Sequence, residues 1–173
     1  MRKFSCTLVL AVAVLAWLPA APASAQDNGA VVALGWAPAG VWGAGDNVFV
    51  PFGLDANASI PMTSNVHLFA DLGYNHKYSV DLFDLAFGAR YMIPSAQSDN
   101  ISPFAEGLFG IGHVGVEGAT GTGVVFGFGA GADLKAVQAV NFRVEAQYLR
   151  YQVSGFGANE IRFILGVSKR IRR

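Results

Sequence analysis

The amino-acid sequence predicts an all-β fold: an eight-stranded antiparallel up-and-down transmembrane β-barrel, preceded by a cleavable signal peptide. Three observations lead to this prediction. Apolar and polar residues alternate with a period of two along the chain, as in strands whose successive side chains point to opposite faces. Small residues crowd the polar face, and an export signal precedes the first strand. Together they indicate a barrel with apolar residues facing lipid and polar residues filling the lumen.

The first 25 residues have the features of an export signal. Two basic residues precede an apolar run over 4–18, and Ala23-Ser24-Ala25 supplies a small-x-small end. The run of about 15 residues is shorter than the roughly 20 that a membrane helix needs. We expect a signal peptide over 1–25 and one barrel domain over 26–173. A retained helical anchor is the alternative.

The composition narrows the functional classes. The single cysteine, Cys6, lies in the signal, so the mature chain is predicted to have no disulfide and no thiolate metal site. Cleavage also removes Arg2 and Lys3, which leaves two more acids than bases. Charged residues make up 14% of the chain against a usual ~25%. No basic patch is interleaved with aromatic residues, so nucleic acid is not an expected partner.

Eight segments are predicted to be strands, and each has one apolar face. In chain order they are 29–37, 48–60, 65–74, 80–93, 102–113, 123–134, 139–152 and 160–171. Their apolar faces carry, segment by segment, Val32, Leu34 and Trp36; Val48, Val50, Phe52 and Leu54; Leu68 and Leu72; Phe83, Leu85 and Phe87; Phe109 and Ile111; Phe126 and Phe128; Phe142, Val144 and Tyr148; Phe163, Leu165 and Val167. Each segment is long enough for the ~9–11 residues of a tilted membrane strand.

The seventh segment shows the pattern most clearly, because Asn141, Arg143, Glu145 and Gln147 all lie opposite its apolar face. An amphipathic helix is an alternative for this segment alone. The glycines and aromatic residues of the second, fourth and sixth segments fit no helical stripe, and repeated glycine is costly in a helix.

The connections fall into two sets, one at each end of the predicted barrel. One set is Pro38–Asn47, Asn75–Tyr78, Val114–Thr122 and Ser154–Asn159, and the other is Pro61–Ser64, Pro94–Ile101 and Lys135–Gln138. The first set is not much longer than the second, which weakens any prediction of an elaborate surface binding site.

The charged residues on the polar faces are predicted to form an internal network of ion pairs. The predicted lumen set is Asp55, Asp71, Asp84, Arg90, Glu106, Asp133, Arg143, Glu145 and Arg162. Buried charges must pair or lose their charge, so we expect the three arginines to pair with the acids. A lumen of eight strands is just wide enough for side chains to fill. The network is therefore interpreted as a structural plug, with a proton or ion pathway as the alternative.

Aromatic residues near the strand ends predict belts at the two lipid–water interfaces. The belt residues are Trp36, Trp42, Tyr74, Tyr78, Tyr91, Tyr148 and Tyr151. The histidines, His67, His76 and His113, lie in different segments without metal-ligand spacing. No nucleophile motif is present, so the sequence predicts no catalytic residue, no metal and no cofactor.

Two stretches carry a family resemblance. The Gly-aromatic run Pro103–Gly112 and the closing stretch Phe163–Ser168 resemble the small outer-membrane β-barrel domain family, which includes the transmembrane part of outer-membrane protein A and opacity-type surface proteins. The resemblance implies the bacterial outer membrane, a lipid environment, and insertion machinery that recognises the last strand. Ile171 stands near the place where such strands commonly end in an aromatic residue. With an even number of strands, both termini are expected on the periplasmic side.

The leading hypothesis is a non-enzymatic integral outer-membrane protein with a structural or surface-interaction role in the cell envelope, whose surface partner the sequence does not identify. One alternative is a lipid-modifying barrel enzyme that uses His76, His113 and Ser154 near the outer rim. Another is a soluble secreted ligand-binding barrel of lipocalin type, with an apolar interior and a polar exterior.

Overall fold

The strands of the molecule form a single antiparallel sheet. A computed structural model of the 173-residue chain describes residues 29–43, 47–78, 80–94, 100–116, 119–137, 140–153 and 156–171. Within these residues the strands are β1 (Ala30–Trp36), β2 (Ala39–Trp42), β3 (Val48–Val50), β4 (Gly53–Pro61), β5 (Val66–Lys77), β6 (Val80–Met92), β7 (Ile101–Val116), β8 (Ala119–Val137), β9 (Val140–Val153) and β10 (Phe156–Ile171). The predicted signal peptide and Ser154 lie outside the described residues.

The sheet closes into a barrel because β1 pairs with both β4 and β10. Both β1 and β2 pair with β10 in the same register, so together they form one barrel strand. In the same way β3 and β4 form a second barrel strand, and the ten described strands therefore make eight barrel strands. We start at Val31 and move at each step to the paired residue on the next strand. One full circuit of the barrel ends at Val41, which lies ten residues further along the same barrel strand. Such a stagger tilts the strands against the barrel axis. The predicted eight-stranded antiparallel barrel is confirmed.

The described residues contain no helix with the length and apolarity that crossing a bilayer requires.

A β-bulge interrupts the second predicted strand. Between the pairs Trp36↔Leu54 and Ala39↔Val50, one strand advances three residues and the other four. The extra residue lies beside Pro51, which has no N–H to donate to a ladder. Trp36 Nε1 donates to the Pro51 carbonyl at 2.8 Å and holds the bulge in place.

The bulge makes the predicted faces of 48–50 wrong. A one-residue slip turns every following side chain to the other face, so Val50 is fully buried inside the barrel while Phe49 is 60% exposed. Val48 packs against the same interior cluster as Val50. The uninterrupted alternation predicted from Val48 to Ile60 therefore holds only from Phe52 onwards.

Several strands extend into segments that were predicted to be loops. Val114–Val116 pairs with 119–121, and β2 and β3 pair with each other inside the predicted loop Pro38–Asn47. The predicted loop Val114–Thr122 contains Gly115 and Gly121, and both lie within paired strands. The barrel wall is therefore taller at this end than predicted, and its connections are tighter.

The apolar side chains face outwards and the charges face inwards. Phe128 and Phe142 are 64% and 59% exposed, whereas Arg143 and Glu145 are 2% and 5% exposed. The predicted orientation of the two faces is confirmed. It is the opposite of a lipocalin-type barrel, whose interior would be apolar and whose exterior would be polar.

Candidate functional site in the barrel interior and at its rim

The barrel interior contains two polar clusters and one apolar layer, stacked along the axis. We call the end that carries Ala30 and Ile171 the terminal end, and the end that carries the β2–β3, β5–β6, β7–β8 and β9–β10 connections the loop end. The first polar cluster lies nearer the terminal end and contains Arg90 and Arg143. The second lies around Arg162, and the apolar layer separates it from the loop end.

Arg90 is held in the first cluster by acids and by aromatic rings. Its Nε donates to Glu106 Oε2 at 2.8 Å, and its Nη2 lies 3.7 Å from Glu145 Oε2. The guanidinium Cζ lies 4.9 Å from the ring centre of Phe69 and 4.2 Å from that of Phe104. Gln147 Nε2 donates to both Glu106 and Glu145, at 2.9 and 2.7 Å. A guanidinium between two rings gains cation–π attraction where water is excluded.

Arg143 forms a separate bidentate ion pair in the same cluster. Its Nε and Nη2 donate to the two carboxylate oxygens of Asp133, each at 2.8 Å. Its Nη1 donates to Asn57 Oδ1 at 2.8 Å, and Ser168 Oγ donates to Asp133 at 2.9 Å. Paired hydrogen bonds of this kind are the strongest that a charged pair makes, so Arg143 ties β4, β8 and β9 together.

Arg162 is the centre of the second cluster and faces four acids. It donates through Nε to Glu160 at 3.0 Å and through Nη1 to Asp55 at 3.3 Å. It also donates through Nη2 to Asp84. The fourth acid, Asp71, has an oxygen 3.8 Å from Nη1. All five side chains are buried.

The second cluster is unbalanced in charge. Among the described residues Asp71 makes no side-chain hydrogen bond. Tyr151 Oη lies 2.9 Å from Asp84 Oδ1 and 2.6 Å from Glu160 Oε2. A phenol has one proton to donate, so Tyr151 donates to only one of these two carboxyl groups at a time. One guanidinium faces four carboxyl groups, so the cluster has more acids than cations.

Glycines opposite the large polar side chains provide the space for them. A Cβ on Gly73 would come within 2.6 Å of Arg162 Cζ, and a Cβ on Gly112 would come within 2.5 Å of the Tyr151 ring. A Cβ on Gly131 would lie 2.7 Å from the Phe104 ring. Small residues on the polar face thus make room for larger side chains at these three positions.

An apolar layer lies between the Arg162 cluster and the loop end. Its members include Val50, Leu82, Val114 and Val125, all fully buried within one cluster of packed side chains. This layer corrects the expectation of a lumen filled by polar residues alone. It also places an apolar barrier across the route that ions would take through the barrel.

The predicted lumen residues all lie on the inner face. Asp55, Asp71, Asp84, Arg90, Glu106, Arg143, Glu145 and Arg162 are buried, and Asp133 is partly buried near the terminal end. They form two clusters rather than one, with Arg90 and Arg143 in the first and Arg162 in the second.

Sequence reasoning missed Glu160 and misplaced Tyr151. Glu160 shares its face with Arg162, so the period of two could have identified it. Tyr151 was predicted for an aromatic belt, but it is fully buried in the interior. It lies on the same face of β9 as Arg143 and Gln147, which was the available signal. Trp36, Tyr74 and Tyr91 do face outwards.

The outward face near the loop end carries three polar pairs that lie directly opposite each other across neighbouring strands. His76 Nδ1 contacts Asp81 at 2.6 Å, between β5 and β6. His113 Nδ1 contacts Thr122 Oγ1 at 2.9 Å, between β7 and β8. Arg150 Nη1 donates to Asn159 Oδ1 at 2.9 Å, between β9 and β10. We call these three pairs the rim pairs.

The two histidines of the enzyme alternative belong to different rim pairs. His67, the third histidine, is partly buried on the inner face. Within the part of the chain that the structure describes, no group of three or more potential ligands is placed to hold a metal ion.

A closed eight-stranded barrel with an apolar exterior and a charged, filled interior defines the class of small transmembrane β-barrels. Comparisons of the sequence with protein families and with curated proteins find no match. Solved structures do match. Neisserial surface protein A is 14% identical, with a TM-score of 0.70 over 82% of this chain and 97% of the other.

Two further structures have the same architecture. Ail, the attachment invasion locus protein of Yersinia pestis, is 15% identical, with a TM-score of 0.61 over 84% of this chain and all of the other. It has also been solved in complex with the heparin analogue sucrose octasulfate. The N-terminal barrel domain of Pseudomonas aeruginosa OprF is 16% identical, with a TM-score of 0.53 over 84% of this chain and all of the other. At these identities the likeness establishes a common fold.

Proposed function

We propose that this chain is a non-enzymatic integral protein of the bacterial outer membrane, with a structural or surface-interaction role in the envelope. The observation that carries the proposal is the outward apolar face. Phe87, Phe109, Phe128 and Phe142 are all largely exposed on the barrel wall. A wall of this kind is stable only against hydrocarbon, since monomeric soluble proteins rarely expose apolar patches of such extent.

The route to the membrane is part of the proposal. Residues 1–25 act as a signal peptide that directs export and is removed. The barrel then inserts with both termini in the periplasm, and the insertion machinery recognises the last strand, β10. Ile171 at the end of β10 is the residue that this machinery meets in place of an aromatic one.

The interior network serves the proposed function as a structural plug. Arg143 and Arg162 link strands that are not neighbours in the sheet, through their bonds to Asn57 and Asp84. Among the described residues, the apolar layer covers the side of the second cluster that faces the loop end. A structural role is therefore favoured over a proton or ion pathway.

A surface-interaction role is supported by the geometry of the loop end. Strands β7 to β10 contain between 14 and 19 residues, more than the ~9–11 that cross a bilayer. The barrel therefore extends beyond the hydrocarbon and presents strand surface to the outside. Ail, which has a similar fold, was solved with a heparin analogue, and we expect a ligand to bind the protruding strands here.

A lipid-modifying enzyme is the second candidate, and one contact favours it. His76 and Asp81 form a His–carboxylate pair at the level where lipid headgroups lie. Replacing His76 and His113 by Ala and assaying lipid A acylation would separate the two candidates. The non-enzymatic proposal expects unchanged acylation, and loss of an acylation activity would refute it.

Fractionation of cells that express the full chain tests the leading proposal. We expect the protein in the outer-membrane fraction, starting at Gln26, with a gel mobility that shifts on boiling because the barrel resists detergent. A soluble periplasmic protein without a heat-dependent shift would contradict the proposal.

A further inference from the structure

Arg150 differs from the arginines of the interior clusters. Arg90, Arg143 and Arg162 each contact at least one carboxylate. Arg150 has no such partner among the described residues, and its side chain there makes one hydrogen bond, to Asn159. An arginine has five N–H donors, so most of the donors of this guanidinium make no hydrogen bond to the described residues.

Arg150 lies where the outward face of β9 changes from apolar to polar. Phe142 and Val144 precede it on that face, then Tyr148, and Gln152 follows. Tyrosine and tryptophan mark the interface between hydrocarbon and headgroups. Arg150 is therefore at headgroup level on the lipid-facing wall, on the same face as Tyr148, whose ring centre lies 6.2 Å from that of Trp42.

The surroundings hold Arg150 flat against the wall. A Cβ on Gly157 would lie 2.6 Å from Arg150 Nη2, so the absence of a side chain there allows the guanidinium to lie over β10. Asn159 Oδ1 accepts hydrogen bonds from both Arg150 and Tyr148, at 2.9 and 2.8 Å. The oxygen thus has both lone pairs in use, and the guanidinium is fixed before any ligand binds.

We propose that Arg150, with Asn159, Tyr148 and Trp42 around it, is a binding site for the phosphate group of an outer-leaflet lipid. The inference rests on the proposed function, because it requires this wall to face a membrane. Arginine matches the geometry of phosphate oxygens and binds them through paired hydrogen bonds. The exposed Phe128, whose ring centre lies 5.4 Å from that of Tyr148, offers an apolar surface along which an acyl chain of the same lipid would lie.

Lipid retention by the full-length mature barrel in neutral detergent tests this site by native mass spectrometry. The probes are bisphosphorylated lipid A, the same lipid without phosphates, and inorganic phosphate. The variants are Arg150→Gln, Arg150→Lys and Lys169→Gln. Lys169 is an outward-facing, exposed cation at the terminal end, so its removal is a control matched in charge. We expect Arg150→Gln to weaken binding of bisphosphorylated lipid A about tenfold, the effect of losing a charged hydrogen bond.

We expect Arg150→Lys to retain part of the affinity and Lys169→Gln to retain all of it. Equal binding of the dephosphorylated lipid, or equal binding by Arg150→Gln, would overturn the site. If inorganic phosphate binds the wild-type protein as tightly as lipid A does, the proposal that the ligand is a lipid is refuted. Every variant is first examined for heat-modifiable mobility. A wild-type chain that fails this test refutes the proposed function, whereas folded variants with unchanged affinity refute only the phosphate site.

Discussion

Arg162 occupies the space that a side chain on Gly73 would fill. The guanidinium of Arg162, on β10, lies over the backbone of Gly73, on β5, and a Cβ there would come within 2.6 Å of Cζ. This position lets one arginine reach Asp55, Asp84 and Glu160 from three different strands. The second polar cluster therefore depends on the smallest residue of the barrel wall.

Replacing Gly73 by Ala should destabilise the barrel because the added methyl group displaces Arg162 from its acids. We expect the free energy of unfolding to fall by about 1–3 kcal/mol, the usual effect of overpacking. Urea unfolding of the protein refolded into lipid vesicles measures this change. Gly107→Ala is the control, since a Cβ at Gly107 has no neighbour within 4 Å. Equal effects at both positions would contradict the packing argument.

Loss of the cation from the second cluster should destabilise the barrel, whereas loss of one acid should not. Arg162→Met leaves four buried acids without a cation, and we expect a loss of about 3–5 kcal/mol. Asp71→Asn removes a carboxylate that makes no side-chain hydrogen bond among the described residues. It should therefore leave the unfolding free energy unchanged or raise it. The temperature at which each variant loses its folded gel mobility measures the stability of both variants. A loss of stability in Asp71→Asn as large as that in Arg162→Met would refute the charge imbalance.

The bulge at Pro51 predicts that two adjacent residues respond differently to a charge. Val50→Asp places a carboxylate in the apolar layer. We expect the free energy of unfolding to fall by about 2 kcal/mol or more, which is the cost of burying an unpaired polar group. Phe49→Asp changes an exposed position at the loop end and should be tolerated. Refolding yields of the two variants in vesicles compare them directly. The reverse order would mean that the second strand continues without a bulge.

Alternation was enough to predict the faces of most strands, because a period of two leaves little choice once lipid lies on one side. It failed at Val50, where a single extra residue reverses the faces. Pro51 inside a predicted strand was the only local sign of that reversal. Tyr151 and Glu160 were missed for another reason. Tyr151 lies near a strand end, which predicted a belt position, although the alternation along β9 puts it on the same face as Arg143. Glu160 is the first residue of the eighth predicted segment and lies on the same face as Arg162.

The partition of the interior into two clusters could not have been predicted from the sequence. It depends on the stagger between strands, which brings Arg162 of β10 to Asp84 of β6 and Arg143 of β9 to Asn57 of β4. Alternation gives the face of each residue but not its height along the axis. The Arg150 site has the same origin, since Gly157 and Asn159 lie beside Arg150 only through the β9–β10 register.

Single cysteines report most directly which side of the wall faces lipid, and the predicted mature chain has none of its own, since Cys6 lies in the signal. Phe128→Cys and Phe142→Cys probe the outer face, and the buried Ser59→Cys and Ser168→Cys probe the interior. Each carries a small fluorophore in protein refolded into vesicles with brominated acyl chains. We expect strong quenching at 128 and 142 and little at 59 and 168. Quenching at the serine positions and not at the phenylalanine positions would contradict an apolar exterior around a charged interior.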